Sequence, residues 1–430
     1  MSNQQQRNLS AVSAETHTMA VRADGSLWGW GLNNSGQIGD GSRAERQRPS
    51  PVRVGKDSDW ASVATGRWFT SAIKTDGTLW TWGANSDGRL GDGTRETRAS
   101  PVRVGTDTNW ALVSSGTGHT MAIKTDGTLW GWGSNRAGQL GTSRPPQVAT
   151  PTQVGSDTDW AFVSANRSHT IALKTNGSLW GWGKNFNGQV AAGRTGRIGK
   201  DSDWAFVSTS AITTLALKTD GSLWAWGGNG DGQFGNGTSC NSISEGIRRG
   251  IVRIGTDTDW VAVAAGNTSA GIKANGSLWV WGANGSGQLG NGTQEPSLVP
   301  IQVPGAWAFV TAGPSIVAAV RPDGTLWCWG HNSDGQVGNG RITTGFSRPF
   351  QIPGFIAATP GSQGGGMSGL AGRAAGIMGA ATGQAGGVVG GLKGILGGGR
   401  TGGGARGGGT QGGGVASIIK GIKSAKTRKR

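Results

Sequence analysis

Thr70-Ser71-Ala72-Ile73-Lys74-Thr75-Asp76-Gly77-Thr78-Leu79-Trp80-Thr81-Trp82-Gly83 is the stretch whose reading decides the fold. Two runs of strand-forming residues flank an Asp-Gly pair, the preferred composition of a two-residue type I′ hairpin turn. The segment therefore predicts two antiparallel strands. In the second, residues two apart share a face, so Trp80 and Trp82 point one way and Leu79, Thr81 and Gly83 the other. Both faces are largely apolar, which places the sheet between two neighbours.

The same phrase returns along the chain, beginning at Asp24, Asp76, Asp126, Asn176, Asp220, Asn275 and Asp323. A period of about 50 residues marks a repeat architecture whose single unit cannot bury its apolar face alone. Upstream of each hairpin lies a Trp-Ala-x-Val-like strand, at 60–63, 110–113, 160–163, 204–207, 260–263 and 307–310, with Leu9 in place of Trp in the first unit. Downstream come an Asn-x-x-Gly-Gln-x-Gly turn, a variable loop and a Pro-x-x-Val strand such as 101–104. Four short strands per unit, seven times over, predict an all-β fold, a seven-bladed β-propeller of four-stranded blades followed by a Gly-rich disordered tail. Of the 21 Trp residues all but Trp68 fall in repeated columns, so they are expected to pack between blades.

The ends look cut to fit one another. The chain opens on a first-strand equivalent and closes its last repeat on Pro349-Phe350-Gln351-Ile352, so one blade is expected to combine strands from both termini. Such a clasp hides the edges of an open fan. Unit four has no Pro-x-x-Val segment between Gly183 and Trp204, only Arg194-Thr195-Gly196-Arg197-Ile198-Gly199, which predicts a short or irregular outer strand.

At Trp-Gly-x-Asn-x-x-Gly-Gln-Leu-Gly, read in 132–141 and 281–290, and at Gly118-His119-Thr120-Met121-Ala122-Ile123, the chain resembles the regulator of chromosome condensation repeat family. The resemblance covers about residues 8–355 and implies a seven-bladed propeller. It also implies a looser set of functions, since one fold hosts many. The family includes a nucleotide exchange factor for a small nuclear GTPase, an ultraviolet-B photoreceptor and a secreted bacterial inhibitor of β-lactamases. The photoreceptor's Gly-Trp-Arg-His-Thr signature is approached only by Gly66-Arg67-Trp68-Phe69-Thr70, which argues against light sensing.

Catalytic residues are not suggested. His17, His119 and His169 share a column with Phe69, Thr213, Thr268 and Ile316, the pattern of a packing position, and His331 stands apart from any nucleophile motif. Cys240 and Cys328 give neither a disulfide framework nor a CxxC metal site. Acid pairs precede the first-strand Trp at Asp57 and Asp59, Asp157 and Asp159, Asp201 and Asp203, and Asp257 and Asp259; short Asx-type turns explain them better than calcium ligation. No cofactor and no small-molecule substrate are expected. Residues 1–20 lack the apolar run of an export signal, which points to a cytoplasm or an assembled particle.

Strand order predicts a polarity. The Asp-Gly hairpins and the Asp-x-Asp entries share one face of the disc, tempered by Lys74, Lys124, Lys174, Lys218 and Lys273, and the variable loops share the other. The loops carry Arg43, Arg46, Arg48, Arg95, Arg98, Arg144, Arg194, Arg197, Arg248, Arg249, Arg341 and Arg348 against few acids. Binding function concentrates on such loops. A protein or glycan partner is expected there, at Arg43, Arg46, Arg48, Arg95, Arg98 and the longest loop with Glu245, Arg248 and Arg249.

Three segments follow: the propeller over 1–355, a Gly-rich low-complexity linker over 356–414 and a basic amphipathic segment over 415–430. From about Ala357 the chain has no acid and contributes Arg373, Lys393, Arg400, Arg406, Lys420, Lys423, Lys426, Arg428, Lys429 and Arg430 to a formal charge of +16. Val415, Ile418, Ile419 and Ile422 form a helical stripe with Lys420, Lys423 and Lys426 off it. Such a segment suits a polyanion, either nucleic acid or an anionic membrane. The primary expectation is a non-enzymatic interaction propeller with a basic tail. A structural or host-recognition component of a virus or phage particle, and a guanine nucleotide exchange factor or chromatin-associated regulator, are the alternatives.

Overall fold

The computed structural model describes residues 11–143, 145–191, 195–239 and 250–358. Within them lie seven antiparallel four-stranded sheets, each built in chain order from one repeat. In blade two the strands are Trp60–Thr65, Phe69–Lys74, Leu79–Gly83 and Arg98–Arg103. The first strands of successive blades touch all the way round, that of blade seven (Phe309–Ala312) meeting that of blade one (Val12–Ala14), so they form the inner wall of a closed ring.

The hairpin turn differs from the expected type. Gly77 N–H donates to the Lys74 carbonyl at 2.9 Å, and Lys74 N–H to the Thr78 carbonyl at 3.0 Å, which makes Thr75 and Asp76 the centre of the turn. Gly77 alone has positive φ, at +78°, so this is a turn followed by a glycine bulge and not the two-residue type I′ form. Asp76 keeps ordinary φ because its carboxylate has another task. Its Oδ1 accepts the Thr78 N–H at 2.9 Å and the Thr78 hydroxyl at 2.7 Å, and that hydroxyl accepts the Trp80 indole N–H at 2.9 Å. The relay recurs in every blade, with Asn176 and Asn275 serving as well as aspartate.

The two Trp residues bind the blades together as expected, on the face turned to the preceding blade. Trp60 meets Trp80 and Trp82 edge to face at 6.3 and 6.0 Å, and Trp60 and Trp82 pack on Met19, Val21, Leu27 and Ile38 of blade one. Leu79 points the other way, into the cluster with Val104, Trp110 and Trp132 of the next junction. Trp82 Nε1–H and the Thr70 hydroxyl both donate to the Gln37 carbonyl of the preceding blade, at 2.9 and 2.8 Å. Trp30 and Thr18 do the same to Gln336 of blade seven, so the seam uses the ordinary junction chemistry.

The clasp takes a finer form than a whole strand exchanged. Blade seven is complete in itself, ending on Gly345–Ile356. Beyond it, Ala357 bridges Arg22, Ala357 N–H donates to the Gly324 carbonyl and Ala23 N–H to the Ile356 carbonyl. Those are the bonds that Trp60 and Asp59 make in blade two, where Trp60 N–H donates to Gly25 and Thr75 N–H to Asp59. The inner strand of blade one thus begins with residues 356–358 and continues with 11–14. Phe355 supplies the missing aromatic, meeting Trp28 and Trp30 edge to face at 6.5 and 5.8 Å.

Blade four has the short outer strand expected of it, Thr195–Ile198, paired regularly with residues 179–182. Among the described residues the outer strand of blade five is Val252–Ile254. Rim contacts show the consequence. A Cβ placed on Gly36, Gly88, Gly232, Gly287 or Gly335 would meet the outer strand of the next blade, whereas one on Gly138 of blade three, in the same turn position, has no neighbour within 4 Å.

Candidate partner-binding faces

The hairpin turn of one blade is tied to the entry of the next by the Trp60 N–H to Gly25 bond and its equivalents, so these elements do share a face. Its charges are largely settled within the chain. Lys74 Nζ lies 2.7 Å from Asp57 and 3.1 Å from Asp59, and 5.0 Å from the centroids of both Trp60 and Trp80. Lys174, Lys218 and Lys273 repeat the arrangement, and Lys124 holds Asp107 at 2.8 Å. Burial alone would lower the Lys74 pKa, but hydrogen bonds and charge from Asp57 and Asp59 outweigh it and the pKa is raised. The entry acids are therefore lysine clamps. The Asx geometry expected of them belongs to the hairpin residues two positions before the Ser or Thr.

On the loop face the arginines divide. Arg48 is anchored to Asp40 at 2.7 Å and also reaches Glu45, and Arg98 is held by Asp92 at 2.9 Å. Asp92 is itself fixed by Thr94, and although burial would raise its pKa, the Thr94 and Arg98 hydrogen bonds hold it below the usual carboxylate range. Arg48 and Arg98 are struts of their loops. Arg43, Arg46 and Arg95 are exposed. Glu245, Arg248, Arg249, Lys420, Lys423, Lys426, Arg428, Lys429 and Arg430, with Arg144 and Arg194, lie outside the described residues.

Two exposed apolar side chains join the free arginines on this face, Phe186 at 69% and Ile342 at 51% exposure. A signal for Phe186 was present in the sequence, since the same turn position holds Asn34, Ser86, Arg136, Gly230, Gly285 and Ser333 elsewhere. Glu15, in the loop between the first two strands of blade one, left no such trace. Its Oε2 is buried without a hydrogen-bond partner, and burial pushes its pKa up to about 7 against the pull of Arg67.

The histidine column is packing, as its membership implies. His17 and His119 are wholly buried and hydrogen-bond through Nε2 to Thr70 and Thr170 of the next blade, at 2.8 and 3.1 Å. Burial lowers their pKa values to about 3, and that of His169 to about 4, so all three are neutral at physiological pH. Among the described residues no group of three or more His, Cys, Asp or Glu side chains is placed to hold a metal ion.

The RCC1-like domain matches residues 2–304, and the Regulator of chromosome condensation (RCC1) repeat matches residues 307–336 and 323–360. The chain belongs to the RCC1-like family. Part of this RCC1-like propeller, 77 residues, is 38% identical to the ultraviolet-B receptor UVR8 of Arabidopsis thaliana, a stretch that is 18% of each protein. Among solved structures it is similar to human WBSCR16, with a TM-score of 0.67 and 23% identity over 76% of this chain and 93% of that one. Prp20p from Saccharomyces cerevisiae, whose structure was described with its binding properties to Gsp1p and histones, gives a TM-score of 0.69 and 18% identity over 82% of this chain and 90% of that one. Both structural likenesses are to the fold.

Proposed function

We propose that this RCC1-like propeller is a non-enzymatic recognition module that takes a protein or glycan partner on its loop face. The observation that carries the reading is the asymmetry of the two faces. Hairpin-face lysines are consumed by aspartate clamps, while Arg43, Arg46 and Arg95 stand exposed on a face that also presents Phe186 and Ile342. Arginine and aromatic side chains together are the usual anchors of interfaces. His17, His119 and His169 are buried and strongly lowered in basicity, so none of the three is placed to act as a general base.

The test is quantitative affinity capture from a cell lysate with the intact protein and with the triple variant Arg43→Glu, Arg46→Glu, Arg95→Glu. Partners of the loop face are captured by the first and lost from the second, and a capture profile unchanged by the triple variant overturns the reading. A small GTPase or histones in the lost fraction would align this chain with the regulators of its family. The basic tail is proposed to bind a polyanion in addition, through Lys420, Lys423, Lys426, Arg428, Lys429 and Arg430. Truncation after Ala358 should then abolish salt-sensitive binding to DNA or to anionic vesicles. Binding unchanged by truncation excludes that role.

A further inference from the structure

We propose that the hairpin face of blade seven carries a binding site for an acidic peptide segment, centred on Arg321 between Trp307 and Trp327. The molecule contains its own template for the ligand. In blades two, four, five and six the corresponding lysine is stacked on its two tryptophans and clamped by an Asp-x-Asp pair at 2.7 Å and 2.9–3.1 Å. Blade seven keeps the cation and both aromatic walls, with the Arg321 Cζ 5.0 Å from the Trp307 centroid and 4.2 Å from that of Trp327. It lacks the acids.

The register fixes what stands beside Trp307 in their place. Trp307 N–H donates to the Gly276 carbonyl of the preceding hairpin, as Trp60 N–H does to Gly25, so Ala306 stands where Asp59 stands. The connection is also shorter. Gly55, Lys56, Asp57, Ser58 and Asp59 separate Val54 from Trp60, whereas only Pro304, Gly305 and Ala306, none of them acidic, separate Val303 from Trp307. Gly305 passes beside the guanidinium, a Cβ placed on it lying 3.3 Å from Arg321 Nη2, and its missing side chain keeps that approach open.

Arg321 makes no side-chain hydrogen bond or ion pair with any described residue, and its Nε is buried without an acceptor. Asp323 of its own hairpin feels its charge, but that position is also acidic beside Lys74, where two further acids are still bound. Blade one provides the contrast. Its Arg22 lies 5.2 Å from Trp28 and 5.1 Å from Phe355 and likewise lacks an acid pair, but Nη2 donates to the Gly354 carbonyl. Among the described residues Arg321 is thus the hairpin-face cation left without an acceptor. A guanidinium on two aromatic faces is pre-organised for a carboxylate, and bidentate geometry favours it over a point charge. The ligand that fits is an extended peptide with carboxylates two residues apart, the pattern already bound in the sister blades.

The probe is a labelled, end-blocked Asp-Ser-Asp peptide titrated into the full chain by fluorescence anisotropy, with Asn-Ser-Asn as control. Salt-sensitive binding in roughly the millimolar range is expected for so small an interface. Arg321→Gln should weaken it about tenfold or more, as for loss of a charge-assisted pair. Ala306→Asp, which keeps Arg321 and installs the sister acid, should block the peptide while raising the melting temperature, and so separates occupancy from misfolding. Failure of the peptide to bind the wild-type chain overturns the proposal, as does equal binding of the Asn control or undiminished binding to Ala306→Asp. Inorganic phosphate competing as well as the diacidic peptide would reduce the site to a general anion contact and overturn it too.

Discussion

The hairpin face and the loop face are made by the same seven repeats, yet they use charge in opposite ways. On the hairpin face each clamped lysine meets acids supplied by the entry strand of its own blade, and the arrangement is copied with distances that vary by tenths of an ångström. On the loop face charge is local and uneven: one strut shared by blades one and two at Arg48 and Arg98, free arginines between them and a half-buried carboxyl at Glu15 with one oxygen shut from solvent. Repetition went where the ring needs to be held at a fixed spacing. Variation went where nothing but solvent or a partner meets the chain.

The largest effect should fall on neither face. Trp82→Ala removes a wholly buried side chain and its bond to Gln37, and is expected to cost about 3–5 kcal/mol by denaturant unfolding. A smaller loss would mean that the junction, and with it the rigid frame for both faces, is looser than the packing shows. Glu15→Gln comes next. A carboxyl whose folded pKa is raised binds protons in the folded state between about 4.5 and about 7, so wild-type stability should fall as pH rises through that window. The variant should lose that slope and be more stable at pH 8 by on the order of 1 kcal/mol, allowing for partial exposure. Absence of the slope difference would remove this contrast between the faces.

Lys74→Met tests the clamp from the other side and should cost about 1 kcal/mol at neutral pH. Because the folded lysine pKa is raised, its contribution is complete below the unfolded value of about 10.4 and disappears as pH rises through the folded one. Stability curves of the two proteins should therefore converge in strong alkali. The smallest effect is Asp76→Asn, within about 0.5 kcal/mol at pH 7, because Asn176 and Asn275 already make the same two bonds. Its signature is at low pH. Hydrogen bonds from Thr78 overcome burial to lower the Asp76 pKa, so that stabilisation is lost as pH falls through the folded value in the wild type and retained in the variant.

The blade count, the strand order, the facing of Trp80 and Trp82 against Leu79, and the packing role of His17, His119 and His169 were all legible in the sequence. They depend on period-two alternation and on column membership, which are properties of the chain itself. The turn was misread because the Asp-Gly pair suits both a type I′ turn and a glycine bulge, and the choice depends on a carboxylate bonding Thr78 across space. The entry acids were misread for the same reason, since Lys74 is 17 residues from Asp57. The loop arginines looked alike as letters, and only Asp40 and Asp92, positioned by their own turns, separate struts from free charges. Phe355 standing in for the absent first-strand Trp was beyond reach, because the two positions belong to opposite ends of the described chain.

That substitution sets an order on the birth of the molecule. Most junctions join blades adjacent in sequence and can form while later repeats are still being synthesised, but the inner strand of blade one lacks its opening residues until 356–358 have left the ribosome. Until then blade one stands as an incomplete sheet with Trp28 and Trp30 uncovered on one side. The last contact to form is thus the one of greatest sequence separation, where loop closure costs most and rewards last. Slow steps in refolding, and early ones in unfolding, should be sought at this seam.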